Sequence, residues 1–355
     1  MTSGPLCDIV IPIWNEKERT RLCLESVLRN TDLPVRLLLI DNGSEPPTRD
    51  WLRQFSGSSP VPAEILRNAQ NLGFIKAVNQ GILAAGSPWI CLLNNDTIVT
   101  AGWLAEMIRT AESDPKIGLV NPTSNCLGYP SQGRSPEEIA RLLSGQRGKS
   151  APLTTALGFC LLARRELFDR IGLLDERFGM GNFDDDDLTL RVREIGLRPV
   201  RAAAAYVHHE GKVSFKKIAG WKEAFKKNKI LFEQKWGRRL RILWGPGVPA
   251  GVSLETIAGA GHWVCVVGPR GTGPKVNHAQ VDYLEYPDRC WRPKATWRLI
   301  ARRRKPFDLV VSHDPGWSRW VRRFQGLHRA RLLSNPTEND LLKHLEQCRK
   351  PSPSP

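Results

Sequence analysis

The chain has 355 residues, of which 41% are hydrophobic, enough for one large domain or two ordinary ones with a buried core. No run approaches the roughly 18 apolar residues of a membrane span. Residues 1–5 show no basic flank followed by an apolar block, so we expect no signal peptide and a cytoplasmic location. The 8 cysteines form no C-x-x-C pair, a pattern that indicates neither a zinc ribbon nor a disulfide framework.

The net charge of +16 is unevenly distributed along the chain. Residues 201–355 contain 30 Lys and Arg against 12 Asp and Glu, whereas residues 1–200 contain 22 against 24. The first part is typical of an ordinary enzyme domain. The second part has the charge of a segment that meets an anionic surface or polymer.

Strands and helices alternate along the first half of the sequence. Predicted strands cover 7–13, 35–40, 63–66, 89–93, 117–120, 156–163 and 199–207; predicted helices cover 17–29, 75–85, 103–112, 136–143, 164–171 and 188–195. This alternation predicts parallel β-α-β units. Residues 125–150, rich in Gly, Ser, Pro and Arg, are expected to form a surface segment.

Polar residues follow three of the predicted strands at their carboxyl ends. They are Asn15-Glu16, Asp41-Asn42 and Asn94-Asn95-Asp96. Each stretch alone is also good turn chemistry. Because parallel strands end at one edge of a sheet, the three together predict one site, in which Asp96 offers a hard oxygen to Mg²⁺ or Mn²⁺.

An acidic run, Asp184-Asp185-Asp186-Asp187, precedes a predicted helix over 188–195. Asp187 is a plausible N-cap, and one or two acidic residues would satisfy a helix start. Four in a row exceed that requirement and favour a catalytic carboxylate. His208-His209 follows the predicted strand over 199–207 and offers a metal ligand, although a single surface histidine usually has no such role.

The order of these motifs resembles the family 2 glycosyltransferases. The resemblance covers about residues 6–215 and rests on residues 10–16, 40–44, 71–74 with Asn79 and Gly81, 93–97, 183–188 and 208–209. It implies an α/β fold, with a mostly parallel sheet flanked by helices in the Rossmann-like, A-type arrangement of nucleotide-diphospho-sugar transferases. It also implies a hexosyl- or deoxyhexosyltransferase.

The resemblance assigns roles to individual residues. Pro12, Trp14 and Glu16 would line the nucleotide pocket, and Asp41 would accept a hydrogen bond from the base, with Asn42 and Ser44 beside it. Asn71, Gly73 and Asn79 would shape the floor under the ribose and diphosphate. Asn94, Asn95 and Asp96 match the metal motif, with Asp96 as ligand and His208 as a further one. Asp184 and Asp185 match the pair that contains the general base, and Asp185 holds the base position.

Two positions depart from the family pattern. Asn94 stands where many members have Asp, which leaves one carboxylate in the metal motif and implies weaker binding of the cation. Asp184 replaces a Glu, so Asp184 and Asp185 both remain candidates for the base. The implied reaction is displacement with inversion at the anomeric carbon, with Mn²⁺ or Mg²⁺ as cofactor, in polysaccharide or glycoconjugate assembly.

The C-terminal part is expected to form a second domain. We assign 1–244 to the catalytic domain, including a basic helix at about 213–237, 245–261 to a linker, 262–350 to a small basic α/β domain and 351–355 to a disordered tail. The basic helix either packs on the catalytic domain with its basic face in solvent, or lies on an anionic membrane. The expected acceptor is a glycan or a lipid-linked molecule, and a membrane position would suit the second. The alternative functions are a catalytically silent nucleotide-binding scaffold and a nucleic-acid-binding protein, for which no recognised motif exists.

Overall fold

The computed structural model describes residues 4–211, 220–248, 252–271, 275–276, 278, 280–301 and 306–349. Contacts between residues divide the chain into two compact units, Met1–Asn228 and Lys229–Pro355. Each unit has its own sheet and its own buried core. Among the residues described, no helix combines the length and apolarity needed to cross a bilayer, and the cytoplasmic location stays a prediction.

The first unit is a sheet of strands flanked by helices. Its strands are β1 (Cys7–Ile13), β2 (Val35–Asp41), β3 (Ala63–Arg67), β4 (Trp89–Leu93), β5 (Thr97–Val99), β6 (Ile117–Thr123), β7 (Ser150–Pro152), β8 (Cys160–Arg164) and β9 (Arg198–His209). Its helices are α1 (Lys17–Asn30), α2 (Pro46–Ser58), α3 (Phe74–Ala84), α4 (Trp103–Glu112), α5 (Pro136–Leu143), α6 (Arg165–Ile171) and α7 (Asp184–Glu194). Helix α8 (Trp221–Trp236) begins in this unit.

The strand order within the described residues is β3-β2-β1-β4-β8-β6-β9-β5, with β7 paired to β9. Strands β1 to β4 pair in parallel, and β8 runs antiparallel to β4 and β6. The prediction of a mostly parallel sheet flanked by helices is therefore confirmed. Strand β1 is buried along most of its length, as a central strand with helices on both faces should be.

Several elements of the first unit differ from the sequence prediction, and the short strands β5 and β7 were not predicted. Helix α2 was not predicted, because its apolar face is short and a proline pair opens it. Strand β8 begins at Cys160, four residues after the predicted start. Helix α7 begins at Asp184 rather than Leu188, so the four aspartates form its first turn instead of preceding it.

The second unit is a smaller parallel sheet. Its strands are β10 (Arg241–Trp244), β11 (Trp263–Pro269), β12 (Val281–Tyr286), β13 (Leu309–Ser312) and β14 (Arg331–Ser334), and its helices are α9 (Leu254–Gly259), α10 (Trp291–Ala301), α11 (Pro315–Arg323) and α12 (Glu338–Arg349). Among the residues described, the strand order is β12-β11-β10-β13-β14. The fully buried Trp317 packs over Gly245, where an added Cβ would lie 2.5 Å from the indole ring.

The boundary between the units differs from the predicted one. We expected the first domain to end at residue 244, but β10 is the central strand of the second sheet and pairs with β11 and β13. The expected linker over 245–261 contains helix α9. The start of the predicted basic helix (212–219) and the tail (351–355) lie outside the described residues.

Candidate active site

The first unit contains a cavity of about 540 Å³ at the carboxyl ends of its parallel strands. This volume suits a ligand of the size of a sugar nucleotide. Ten of the predicted site residues line it: Pro12, Trp14, Glu16, Asn42, Asn71, Asn94, Asn95, Asp96, Asp184 and Asp185. The other five do not line it: Asp41, Ser44, Gly73, Asn79 and His208.

Parallel pairing brings the strand ends to this edge. The register aligns Ile13 at the end of β1 with Asp41 at the end of β2, and β4 lies on the other side of β1. The residues that follow these strands therefore meet, as predicted. Trp14 is 49% exposed and lines the cavity, so its ring is available to a flat ligand group.

Asp41 lies buried behind the cavity wall. Its carboxylate is paired with Arg67, and it accepts a hydrogen bond from the backbone N–H of Ser44 at 2.9 Å. Ser44 Oγ in turn accepts a hydrogen bond from the backbone N–H of Asn15 at 2.9 Å. In this structure, Asp41 and Ser44 thus shape the loop that carries Trp14 instead of facing the cavity.

Asn42 connects β2 to the loop before α3. Its side-chain amide donates to Asn71 Oδ1 at 2.8 Å and to the carbonyl of Gly73 at 3.2 Å, and its Oδ1 accepts from the backbone N–H of Leu72. Gly73 has a φ of 92°, a conformation that a glycine adopts without strain. These bonds fix the cavity wall at Asn42 and Asn71.

Asn79 performs a different task from the one the resemblance implies. It is 3% exposed, and its amide exchanges hydrogen bonds with the backbone of Leu174 at 2.9 and 3.0 Å. It therefore fixes the segment that leads toward α7, and the floor of the cavity is formed by other residues.

His209, rather than His208, accompanies Asp96. His209 Nε2 lies 3.2 Å from Asp96 Oδ1, and both residues line the cavity. Neighbouring residues of a strand point to opposite faces, and the pairing of β5 with β9 places His209 opposite Thr97. His208 projects from the other face of β9 and does not line the cavity, so the geometry favours His209 over the predicted His208 as the residue beside Asp96.

Several contacts hold His209 in one orientation. The side chain of Asn125 bonds to both the backbone N–H and the carbonyl of His209, at 2.8 and 2.9 Å. The ring stacks on Phe159 with centroids 4.9 Å apart, and Nδ1 lies 3.8 Å from Cys126 Sγ. Burial by itself lowers the pKa of His209, but the hydrogen bonds to Asp96 and Cys126 outweigh it and raise the pKa to about 9.

The residues around Asp96 fit a divalent cation that also binds a ligand phosphate. Asn94 lines the cavity, and its buried Oδ1 has no hydrogen-bond partner among the residues described. Carboxylate and amide oxygens are ligands of both Mn²⁺ and Mg²⁺, and an imidazole nitrogen suits a transition metal such as Mn²⁺ better than it suits Mg²⁺. The described residues contain no group of three His, Cys, Asp or Glu placed to hold a metal, so phosphate oxygens and water would have to complete the coordination.

The four aspartates of the first turn of α7 have separate surroundings. Asp184 is buried, Asp185 lies beside Gly158, Asp186 accepts a hydrogen bond from Thr155 Oγ1 at 2.6 Å, and Asp187 pairs with Arg191 at 2.9 Å. Successive helical residues project about 100° apart, which explains this division. Asp187 therefore has a structural partner and does not line the cavity, whereas Asp184, Asp185 and Asp186 do.

Asp184 and Asp185 are poised to hold or accept a proton. Burial, with a contribution from Asp186, raises the pKa of Asp184 to about 6. Burial and the neighbouring charge of Asp184 raise the pKa of Asp185 well above its usual range. A carboxylate of raised pKa is a stronger base, which suits the removal of a proton from a hydroxyl group.

The sequence analysis missed several residues of the cavity wall. The segment Thr155, Leu157, Gly158 and Phe159 lines it, as does Cys126. A Cβ at Gly158 would lie 2.8 Å from Asp185 Oδ1, so this glycine makes room for the carboxylate. No pattern in the sequence identified these residues, because their position depends on the antiparallel pairing of β8 with β4.

The first unit is similar to known glycosyltransferases in sequence and in fold. Residues 8–172 match the family model described as Glycosyl transferase family 2. The protein y4gI of Sinorhizobium fredii is 28% identical over 60% of this chain and 25% of its own length. An N-acetylglucosaminyl-diphospho-decaprenol L-rhamnosyltransferase of Mycobacterium tuberculosis is 28% identical over 59% of this chain and 78% of its own. The chain thus spans only a quarter of the first of these relatives.

A solved structure shares the fold. The mannosyltransferase PcManGT from Pyrobaculum calidifontis, in complex with GDP-Man and Mn²⁺, superposes with a TM-score of 0.50 at 17% identity, over 66% of this chain and 64% of its own. At that identity the likeness concerns the fold alone. The sequence match over residues 8–172 and this shared fold show that the first unit is similar to family 2 glycosyltransferases and has the GT-A fold.

Proposed function

We propose that this chain transfers a sugar from a nucleotide-diphospho-sugar to an acceptor hydroxyl group, with inversion at the anomeric carbon. One observation carries the proposal: a single cavity is lined by Trp14 and Asn42, by Asp96 with His209, and by Asp184 with Asp185. The first pair suits a nucleobase and its ribose, the second suits a cation that binds a diphosphate, and the third suits a hydroxyl group that loses its proton.

The nucleotide is expected at the end of the cavity formed by β1 and β2. The exposed ring of Trp14 stacks against the base, and the network around Asn42 positions the wall beside the ribose. Asp41 does not contact the nucleotide; through its contacts with Ser44 and Arg67 it positions the loop that carries Trp14.

Asp96 and His209, with Asn94 Oδ1, would hold the cation. When bound, Mn²⁺ or Mg²⁺ supplies positive charge against the diphosphate, which eases its departure. Asp185 accepts the proton of the acceptor hydroxyl group as that oxygen attacks the anomeric carbon. Burial and the neighbouring charge of Asp184 keep the pKa of Asp185 raised. The sheet edge orients the two substrates for this displacement.

The relatives suggest classes of substrate. The solved mannosyltransferase binds GDP-Man and Mn²⁺, and the Mycobacterium enzyme is named for a rhamnosyl transfer to a diphospholipid-linked sugar. We propose a hexosyl or deoxyhexosyl donor, a glycan or lipid-linked acceptor, and a role in polysaccharide or glycoconjugate assembly.

A thermal-shift screen tests the proposal. Sugar nucleotides of uridine, guanosine and thymidine are added with and without Mn²⁺, because a ligand that binds only the folded state raises its melting temperature. We expect one nucleotide class to stabilise the protein, more strongly with Mn²⁺ present. Transfer to added glycans is then measured with that donor.

The variant Asp185→Asn separates binding from chemistry. Addition of the donor should raise the melting temperature of this variant as it does for the wild type. The rate of transfer should fall by a factor of about 10² to 10⁴, the usual contribution of a general base. Unchanged transfer would mean that Asp185 is not the base. Absence of any stabilisation by sugar nucleotides in the wild type would contradict the proposed function itself.

A further inference from the structure

The loop between α6 and α7 forms the wall of the cavity next to the aspartates. Met180, Gly181, Asn182 and Phe183 all line the cavity immediately before Asp184. If Asp185 is the base, the hydroxyl group that it deprotonates must approach from this side. This wall is therefore the one that an acceptor contacts, and this step rests on the proposed function.

The backbone of this loop is held in an unusual conformation. Asn182 and Phe183 have φ values of 74° and 70°, in the left-handed region that non-glycine residues rarely occupy. Such a conformation is strained and persists only where surrounding contacts enforce it. It directs the Phe183 ring along the cavity wall, where that ring meets a second aromatic residue.

Helix α8 supplies contacts that hold the loop in this conformation. The side-chain amide of Asn228, 4% exposed, donates hydrogen bonds to the carbonyls of Phe178 at 2.7 Å and Gly181 at 2.8 Å. Asn228 lies far beyond residue 172, where the family match ends. The first half of α8 is therefore a part of this site that the family model does not cover.

Aromatic rings continue from the cavity wall onto this helix. The rings of Phe183 and Phe225 lie 5.2 Å apart between centroids, and those of Phe225 and Trp221 lie 5.5 Å apart. Phe225 is 37% exposed, although it is a large apolar residue. The buried Trp221 Nε1 has no hydrogen-bond partner among the residues described. We call Phe183, Phe225 and Trp221 the aromatic run.

A run of rings that leads outward from a catalytic wall has the chemistry of a sugar-binding surface. One face of a pyranose ring presents mainly C–H bonds, and this face gains from burial against the negative face of an aromatic ring. Neighbouring sugars of a chain can contact successive rings, whereas a small alcohol can contact only the first.

We infer that the aromatic run is an acceptor subsite that binds the sugar next to the one that reacts. The acceptor of this chain is accordingly a saccharide of at least two residues, whose outer sugar presents the hydroxyl group to Asp185. Its inner sugar lies on Phe225, against which Trp221 packs.

Calorimetric titration with neutral disaccharides tests this subsite. The probes are chitobiose, cellobiose, mannobiose and lactose, each added to the full chain with Mn²⁺ and either UDP or GDP. At least one disaccharide should bind, and the corresponding monosaccharide should bind at least about fivefold more weakly, since it loses the contact with Phe225. No binding of any of the four disaccharides would overturn the inference.

Two substitutions of one residue separate ring chemistry from apolar packing. Phe225→Tyr keeps the ring and should bind the disaccharide within twofold of the wild type. Phe225→Leu keeps an apolar side chain but loses the ring, and its affinity should fall about fivefold to tenfold. Leu83→Ala is the matched control, because Leu83 is 71% exposed on α3 and does not line the cavity.

The readouts distinguish failure of the subsite from failure of the proposed function. All variants should bind UDP or GDP with Mn²⁺ as the wild type does, and each melting temperature is recorded to exclude misfolding. Equal disaccharide affinity in Phe225→Leu and Phe225→Tyr would overturn the subsite while leaving the transferase assignment intact. Loss of nucleoside diphosphate binding in the wild type would instead contradict the transferase assignment.

Discussion

The buried carboxyl group of Asp184 should destabilise the protein at neutral pH, and Asp184→Asn should remove this cost. Burial raises the pKa of Asp184 to about 6, compared with an ordinary value of about 3.9. Each pH unit of difference corresponds to ~1.4 kcal/mol, so ionisation of this group costs up to ~3 kcal/mol of folding free energy.

The sign follows from the direction of the change in pKa. Because the folded state holds the proton more tightly than the unfolded state, the protonated group favours folding at low pH, and this contribution disappears as pH rises through about 6. Asparagine has nearly the same shape and no charge to bury. We therefore expect Asp184→Asn to stabilise the protein above pH 7 by roughly 1–3 kcal/mol and to change little below about pH 4.

The assay is the melting temperature of wild type and variant between pH 4 and 8. For a unit of this size, ~2 kcal/mol corresponds to an increase of roughly 4–8 °C. Asp169→Asn is the control, because this carboxylate is 62% exposed and its removal should have little effect. An increase that is equally large at pH 4, or no increase at pH 7.5, would refute the reasoning.

Two further predictions concern the cation and the base. Asp96→Ala and His209→Ala should each remove the Mn²⁺-dependent part of the stabilisation by donor, whereas His208→Ala should retain it. The thermal-shift assay measures this stabilisation. Its loss in His208→Ala alone would reverse our choice of histidine. Gly158→Ala should lower kcat at least tenfold with little change in donor binding, because its Cβ would lie 2.8 Å from Asp185 Oδ1 and displace that carboxylate. A kcat equal to that of the wild type would show that Asp185 tolerates the displacement.

The part of the site built on parallel strand ends was predictable from the sequence. Asn42, Asn94 and Asp96 follow apolar strands, and parallel pairing alone brings such residues to one edge. The rule does not say which side chains face the cavity. Asp41 turned to Arg67 and Ser44, since a buried carboxylate is paired where a partner is within reach.

The parts of the site that depend on strand register were not predictable. His208 and His209 are chemically identical, and only the pairing of β9 with β5 decides which of them lies beside Asp96. Likewise, Gly158 and Phe159 reach the cavity because β8 pairs antiparallel with β4, a pairing between strands about 70 residues apart. Local patterns carry no information about such pairings.

Helix starts and short strands were also misjudged. The aspartates of α7 show no apolar periodicity, so the prediction began the helix at Leu188, although the acidic first turn is favoured by the helix dipole. Strand β10 has only 4 residues, and its place at the centre of the second sheet became visible only from its partners β11 and β13.

The tryptophan over Gly245 has a consequence for the second unit. Its strand order is β12-β11-β10-β13-β14, so the chain first adds strands on one side of β10 and then on the other. In doubly wound sheets, the crevice beside such a switch point usually receives a ligand. Here the indole of Trp317 fills the space at the end of β10, and Asp314 caps helix α11 with a negative charge where a phosphate would otherwise bind. The point in the second sheet where such folds have their crevice is therefore filled by this unit's own side chains.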